Sequence, residues 1–178
     1  MKRLLMGGIV GGIIAFMWGA VSWMALPWHG PALLKFTDEQ AVIKVVHENA
    51  PVAGTYLLPN PSGGLHQKDY TGPMLFGAVR PVSVSPSDRS YYLRGLGSEM
   101  LGALLLTWLL MTLPRMSYWA RVRTGIFVAL VGAAMSYVPD ANWWGFSRSY
   151  TTLKVVDAVA AYTFASLAIA RIVGDRYD

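Results

Sequence analysis

Three ionisable residues stand within otherwise apolar stretches of the sequence: Glu99, Lys154 and Asp157. Because Lys154 and Asp157 are one helical turn apart, a helix would place both on one face. A charged side chain inside a membrane-spanning segment is costly and is usually retained for helix packing or for transport. We expect the three to form a polar cluster that, together with Arg94 and Arg148, neutralises itself and fixes the packing. A proton or ion path through Glu99 and Asp157 is the alternative.

The histidines are His29, His47 and His66, and all of them fall outside the apolar stretches. This chain alone therefore cannot supply the paired axial ligands of a haem inside a membrane. His29 with Met24, or His47 and His66 with Met74, could form a soft copper site. The histidine spacing is not typical of a metal site, so we expect hydrogen-bonded structural histidines, with no cofactor and no metal.

The sequence contains none of the common catalytic or nucleotide-binding motifs. No G-x-S-x-G nucleophile motif occurs, and the glycine pairs at 63–64 and 95–97 lack the rest of a phosphate-binding pattern. Cysteine is absent, which excludes disulfides, thiolate metal sites and a cysteine nucleophile. We therefore expect no catalytic residue and no enzyme.

The elements that must position these residues are apolar. Hydrophobic residues make up 54% of the chain and charged residues only 14%, about half the usual share of a soluble domain. Four stretches are candidates to cross a membrane: Leu4–Leu26, Leu96–Leu113, Gly125–Val138 and Leu153–Val173. The third is short, and we expect residues 120–124 to complete it, with Arg121 and Arg123 reaching towards the headgroups. A cleavable signal peptide is the alternative for the first stretch.

The predicted fold is an all-α membrane protein with four transmembrane helices and a small α+β extracytoplasmic domain between helices 1 and 2. Its domains are an N-terminal helix at 1–26, a loop domain at 27–95 and a three-helix bundle at 96–178. In the loop domain, a capping box at Thr37 predicts a short helix ending at about Asn49. Extended segments at Gly54–Leu58 and Met74–Arg80 predict a hairpin.

Basic residues set the expected orientation. The loop at 114–123 carries Arg115, Arg121 and Arg123 with no acidic residue, and Lys2 and Arg3 precede the first helix. Because short basic loops stay in the cytoplasm, both termini are expected inside and residues 27–95 outside. This bias accounts for the formal net charge of +5 better than nucleic-acid binding does.

Two patterns predict packing surfaces. Gly7, Gly8, Gly11 and Gly12 form two overlapping G-x-x-x-G pairs, which allow close approach by another helix of this chain or of a partner. The aromatic segment with Asn142, Trp143, Trp144 and Phe146 is expected to cap the third and fourth helices at the outer headgroup level, or to contact a partner or lipid.

The segments Trp23-Met24-Ala25-Leu26-Pro27-Trp28-His29 and Asn142-Trp143-Trp144-Gly145-Phe146 resemble a family of small four-helix bacterial proteins with no assigned activity. The resemblance covers most of the chain and implies a bacterial inner membrane. Our first hypothesis is a non-catalytic accessory subunit or assembly factor of a larger membrane complex, with membrane lipids and a protein partner, or a second copy, contacting helix 1. The alternatives are a small oligomeric transporter or channel using Glu99 and Asp157, and an extracytoplasmic metal or haem accessory protein.

Overall fold

The protein is mostly helical. The structure, a computed structural model, describes residues 1–63, 70–83, 85 and 87–174, so His66 lies outside the described residues. In chain order the helices are α1 (Lys2–Met24), α2 (His29–Ala32), α3 (Glu39–Asn49), α4 (Arg89–Thr112), α5 (Tyr118–Trp144) and α6 (Arg148–Val173), and the strands are β1 (Gly54–Leu58) and β2 (Leu75–Val79).

The chain divides into two compact units. One comprises Met1–Leu33 with Ser87–Asp178, and the other is Leu34–Pro86. The helical unit thus includes residues 27–33 and 87–95, which the sequence analysis assigned to the loop domain.

Four helices, α1, α4, α5 and α6, are long and apolar enough to cross a membrane. They have 23, 24, 27 and 26 residues, and at about 1.5 Å per residue each exceeds the roughly 30 Å of a hydrocarbon core. The prediction of four apolar helices of membrane length is confirmed.

Helices α4, α5 and α6 extend beyond the apolar stretches that predicted them. Helix α4 begins at Arg89 because Asp88 caps it, accepting a hydrogen bond from the backbone N–H of Ser90 at 2.9 Å. Hydrogen bonds from Ser90 lower the pKa of the Asp88 carboxyl. Helix α5 continues through Pro139 to Trp144, where Gly145 ends it in the left-handed conformation. Only residues 145–147 therefore separate α5 from α6.

Helix α1 lies between α4 and α6 and runs antiparallel to both. Its glycines face these two helices: an added Cβ at Gly8 would come within 2.8 Å of Leu104, at Gly12 within 2.5 Å of the Met100 backbone, and at Gly11 within 2.7 Å of Ile169. Gly7 faces Thr107 of α4 in the same way. The glycine face is thus covered within the chain, and a partner contacting α1 would have to use its opposite face.

Helix α5 packs mainly against α6 and touches α4 little. The four helices therefore follow the order α4, α1, α6, α5, with an open side between α4 and α5. The core of the unit is formed where α1, α4 and α6 meet, and its buried side chains include Ala103, Leu106, Leu110, Ala165 and Ile169.

Two arginines complete the C-terminal end of α6. Arg3 donates a hydrogen bond to the Val173 carbonyl at 2.8 Å, and Arg121 donates one to the Ala170 carbonyl at 3.4 Å. The last carbonyls of a helix need such partners, and a cation suits their partial negative charge. Arg121 is buried, so the expectation that it reaches outwards to the headgroups was wrong.

The second unit contains the predicted short helix and hairpin. Helix α3 is capped by Asp38, one residue after the expected Thr37, through a 2.9 Å hydrogen bond from the backbone N–H of Ala41. The helix ends at Asn49 as expected. Strands β1 and β2 pair antiparallel with Gly54 opposite Val79, which confirms the hairpin.

Candidate functional site

A polar cavity of about 260 Å³ lies in the helical unit where α1, α4 and α6 approach the α5–α6 turn. It contains the three ionisable residues singled out in the sequence. Their side chains come from two helices, so only the folded bundle brings them together. The lining is Trp18, Gly19, Trp23, Ser98, Glu99, Tyr137, Lys154, Asp157, Ala158, Ala161 and Tyr162.

Asp157 is held by groups from α1 and α2. One carboxylate oxygen accepts a 2.5 Å hydrogen bond from the Ser22 hydroxyl, and the other lies 3.0 Å from Nε2 of His29. The Nδ1 atom of His29 lies 3.1 Å from the Ser22 carbonyl, and Trp28 donates to the Ser22 hydroxyl at 3.1 Å. The His29 ring also stacks on Trp23 at 3.8 Å. This network fastens the segment after α1 onto α6.

The same three residue types form a catalytic triad in hydrolases, but the connections differ here. In a triad the serine hydroxyl gives its proton to the histidine, which the aspartate orients. Here the Ser22 hydroxyl donates to Asp157 instead, and Ser22 is fully buried. The arrangement therefore suits a structural connection and not nucleophilic attack.

Glu99 and Lys154 have weaker partners within the cavity. The Tyr162 hydroxyl hydrogen-bonds the Glu99 carboxylate and occupies the space beside Gly102, where a Cβ would collide with it. The Lys154 ammonium lies 5.1 Å from the centre of the Tyr137 ring, a cation–π contact. Among the described residues, no carboxylate lies within 4 Å of it.

The Trp18 side chain lines the cavity, but its N–H donor is closed off from it. Its Nε1–H is buried, and no acceptor for it exists among the residues that the structure describes. A buried donor without an acceptor is costly, so such groups usually have a partner in the working protein. Trp18 is fixed in place by ring contacts with Trp28 and Phe164, whose centres lie 6.1 and 5.2 Å away.

The open side between α4 and α5 forms an apolar groove of about 510 Å³. Small residues of α5 form one wall, Ala129, Gly132 and Ala133, and larger residues of α4 form the other, Leu105 and Trp108. Tyr137, Ala158 and Tyr162 line both the groove and the polar cavity. The two spaces are therefore neighbours that share a wall, one polar and the other apolar.

The structure brings Glu99, Lys154 and Asp157 together, as the sequence analysis expected. The partners of these residues differ from the predicted ones. Asp157 binds His29 and Ser22, while Arg94 donates to the Ser90 hydroxyl on its own helix at 3.0 Å. Neither Arg94 nor Arg148 lines the described part of the cavity.

Sequence reasoning missed Ser22, Trp18 and Tyr162 as members of the site. A usable signal existed in Pro27, Trp28 and His29: a proline-led turn directly after a long apolar helix can fold a polar ring back onto a neighbouring helix. Serine, tryptophan and tyrosine carry no charge, so their position inside apolar stretches gave no comparable signal.

The remaining predicted residues lie apart from this cavity. Asn142, Trp143 and Trp144 form the last turn of α5, with Trp143 71% exposed, and Phe146 packs against the Tyr150 ring. Such exposure suits contact with headgroups. His47 and Met74 are exposed in the other unit, and the described residues include no group of three metal-binding acids or histidines.

A second polar cavity, of about 170 Å³, lies at the opposite end of the bundle. Arg3, Arg115 and Arg121 contribute to its lining. Arg3 and Arg121 already bond the end of α6 there, so this cavity has a structural explanation.

Comparisons with protein-family profiles, with curated proteins and with solved structures find no match for the chain.

Proposed function

We propose that the chain is a non-catalytic component of a bacterial inner membrane, a small accessory subunit that holds a single membrane amphiphile at the outer leaflet. The observation that carries this proposal is the common wall of the polar cavity and the apolar groove, formed by Tyr137, Ala158 and Tyr162. An amphiphile has a polar head and an apolar tail, and these two adjoining spaces match its two parts.

The groove favours an acyl or isoprenoid chain. It is open between two helices of membrane length, so lipid can enter it sideways without opening the bundle. Its walls are apolar and differ in side-chain size, with small side chains on α5 opposite the larger Leu105 and Trp108 on α4. A flexible chain can follow such a surface, and ligand sites are generally concave and apolar with a few polar groups at one end.

The outer-leaflet placement follows from orientation. Arginines gather at the end of the bundle where α1 begins and α6 ends, since Arg3, Arg115 and Arg121 meet there. Basic residues favour the cytoplasmic side. The polar cavity lies at the opposite end, which would face outwards in a bacterial inner membrane.

A non-catalytic role agrees with the chemistry of the cavity. Asp157 has both carboxylate oxygens engaged, and the nearby serine is buried and bonded to it. These groups are positioned to hold, and not to react. The subunit would retain its ligand while a larger complex acts on it or is stabilised by it.

A holding role also agrees better than transport with the packing below the cavity. The core side chains Leu106, Leu110 and Ile169 fill the space between α1, α4 and α6. A path through one copy of the chain would have to pass these buried side chains. The alternative of a channel using Glu99 and Asp157 would need a path between copies.

Filling the groove tests the proposal. A Cβ at Gly132 would meet nothing within 4 Å, so Gly132→Leu adds a side chain to the groove without a clash in the chain. Gly97 of α4 is equally open and lies outside both linings, so Gly97→Leu is the matched control. The measurement is the lipid retained per chain, by native mass spectrometry after purification in mild detergent.

We expect wild type and Gly97→Leu to retain a bound lipid and Gly132→Leu to lose it. Equal retention by both variants would overturn the proposal, as would a wild-type chain that carries no lipid beyond the detergent background.

A partner helix in the groove is the second candidate, favoured by the small residues of α5. Ala129 and Ala133, and Gly132 and Ser136, are small pairs four residues apart, the spacing that allows close helix approach. In that case Gly132→Leu would remove a co-purifying membrane protein and leave retained lipid unchanged.

A further inference from the structure

We infer that the polar cavity recognises a zwitterionic phospholipid headgroup with a primary ammonium group, of the phosphatidylethanolamine type. The inference rests on the proposed function, because it names the headgroup of the amphiphile held there. It is carried by two polar groups of opposite kind in one cavity: a donor at Lys154 and an acceptor at Glu99.

The Lys154 ammonium fits a phosphate. It has no carboxylate within 4 Å among the described residues and lines the cavity. A phosphodiester supplies negative charge and several acceptor oxygens, so it would pair with this ammonium.

The acceptor fits an ammonium. Asp157 is occupied by Ser22 and His29, whereas Glu99 has only the Tyr162 hydroxyl as a hydrogen-bond partner in the described structure. A carboxylate has about four lone-pair positions, so Glu99 retains acceptor capacity.

The charges of the cavity argue against purely anionic headgroups and against choline headgroups. A purely anionic headgroup would satisfy Lys154 but would bring its charge close to Glu99 and Asp157, and like charges repel strongly where water is scarce. A choline headgroup has positive charge but no N–H, so it cannot hydrogen-bond Glu99. An ethanolamine headgroup provides N–H donors for Glu99 and a phosphate for Lys154.

The test compares three lipids with the same acyl chains. The full-length protein is delipidated, placed in nanodiscs and given phosphatidylethanolamine, phosphatidylcholine or phosphatidylglycerol, and bound lipid is read by native mass spectrometry. We expect wild type to prefer the ethanolamine lipid over the other two by about tenfold, the effect of one charged hydrogen bond.

Two variants test the recognition of the ammonium group and of the phosphate group separately. Glu99→Gln should abolish the preference for the ethanolamine lipid over the glycerol lipid while lipid is still bound. Lys154→Gln should weaken the binding of all three phospholipids. Glu48→Gln and Lys44→Gln on the exposed face of α3 are matched controls and should change neither result.

The variant Gly19→Leu tests the headgroup space without changing a charged residue. Gly19 lines the polar cavity, and a Cβ there would meet nothing within 4 Å, so we expect the added side chain to occupy part of the headgroup space. We expect loss of headgroup preference. Free phosphoethanolamine should not displace the bound lipid, because the apolar groove holds the tail.

The outcomes are distinguishable. Lipid bound by wild type without any headgroup preference, or a preference that Glu99→Gln leaves intact, overturns this inference and leaves the proposed function standing. Failure of wild type to bind any of the three lipids overturns this inference, and it overturns the proposed function as well when the chain purified in mild detergent also retains no lipid.

Discussion

Removing the His29 side chain tests the network that fastens the segment after α1 onto α6. His29 is 5% exposed, lies 3.0 Å from a carboxylate oxygen of Asp157 and 3.1 Å from the Ser22 carbonyl, and stacks on Trp23. His29→Ala leaves buried acceptors without their partner, at a cost of about 1–3 kcal/mol. The lost ring stacking adds about 1 kcal/mol. We expect the free energy of unfolding to fall by about 3 kcal/mol.

The assay is equilibrium unfolding in mixed micelles of mild detergent and SDS, followed by tryptophan fluorescence. His47→Ala is the matched control, because His47 is exposed on α3 and exposed substitutions usually change stability by less than about 0.5 kcal/mol. Combining His29→Ala with Asp157→Asn should be less than additive, since both remove one interaction. If His29→Ala behaves like His47→Ala, the network does not contribute to stability and the reasoning is refuted.

Three further predictions concern packing, orientation and pH. Gly12→Leu should abolish folding, because a Cβ there would lie 2.5 Å from a backbone atom of α4. The control Gly19→Leu should give a folded peak in size-exclusion chromatography. A folded Gly12→Leu variant would refute the close packing of α1 on α4. The chain has no cysteine, so single cysteines can report the orientation of the chain. An impermeant maleimide added to intact cells should label Ser149→Cys and should not label Pro114→Cys. Labelling of both variants would refute the predicted orientation. The pKa of Asp88 is lowered, so its carboxylate stabilises the start of α4 at pH values above its ordinary pKa. This contribution should disappear as the pH falls through the lowered pKa. NMR signals of the first-turn amides that stay unchanged through this range would contradict the cap.

The four long helices were predictable because their signal is local. A run of apolar residues of membrane length needs no knowledge of the rest of the chain, and the same holds for the hairpin at Gly54–Leu58. The helix ends were less predictable, since they depend on caps. Asp88 and Gly145 extend α4 and α5 beyond the hydrophobic stretches, and hydropathy does not register such caps.

The candidate site was predictable only in part. Charges at Glu99, Lys154 and Asp157 stand out in apolar stretches, so their gathering was expected. The partner of Asp157 was not, because the contact with His29 joins residues 128 positions apart and depends on the turn after α1. Likewise, the groove arises from the order of the helices, with α4 and α5 left apart, and this order is a property of the packed bundle.

The glycines of α1 illustrate the same limit. Their spacing predicts a close helix contact, but spacing alone does not say which helix makes it. The structure places Gly8 and Gly12 against α4 and Gly11 against α6. The small residues left uncovered are on α5 instead, in the groove.

Photo-crosslinking from within the groove tests whether a lipid occupies the space between α4 and α5. Leu105 lines the groove and is 57% exposed, so a photoreactive amino acid placed there in growing cells reports what occupies the groove. We expect a product heavier than the chain by the mass of one phospholipid, and suppression of this product by Gly132→Leu. A covalent product with another protein, and none with lipid, would contradict it.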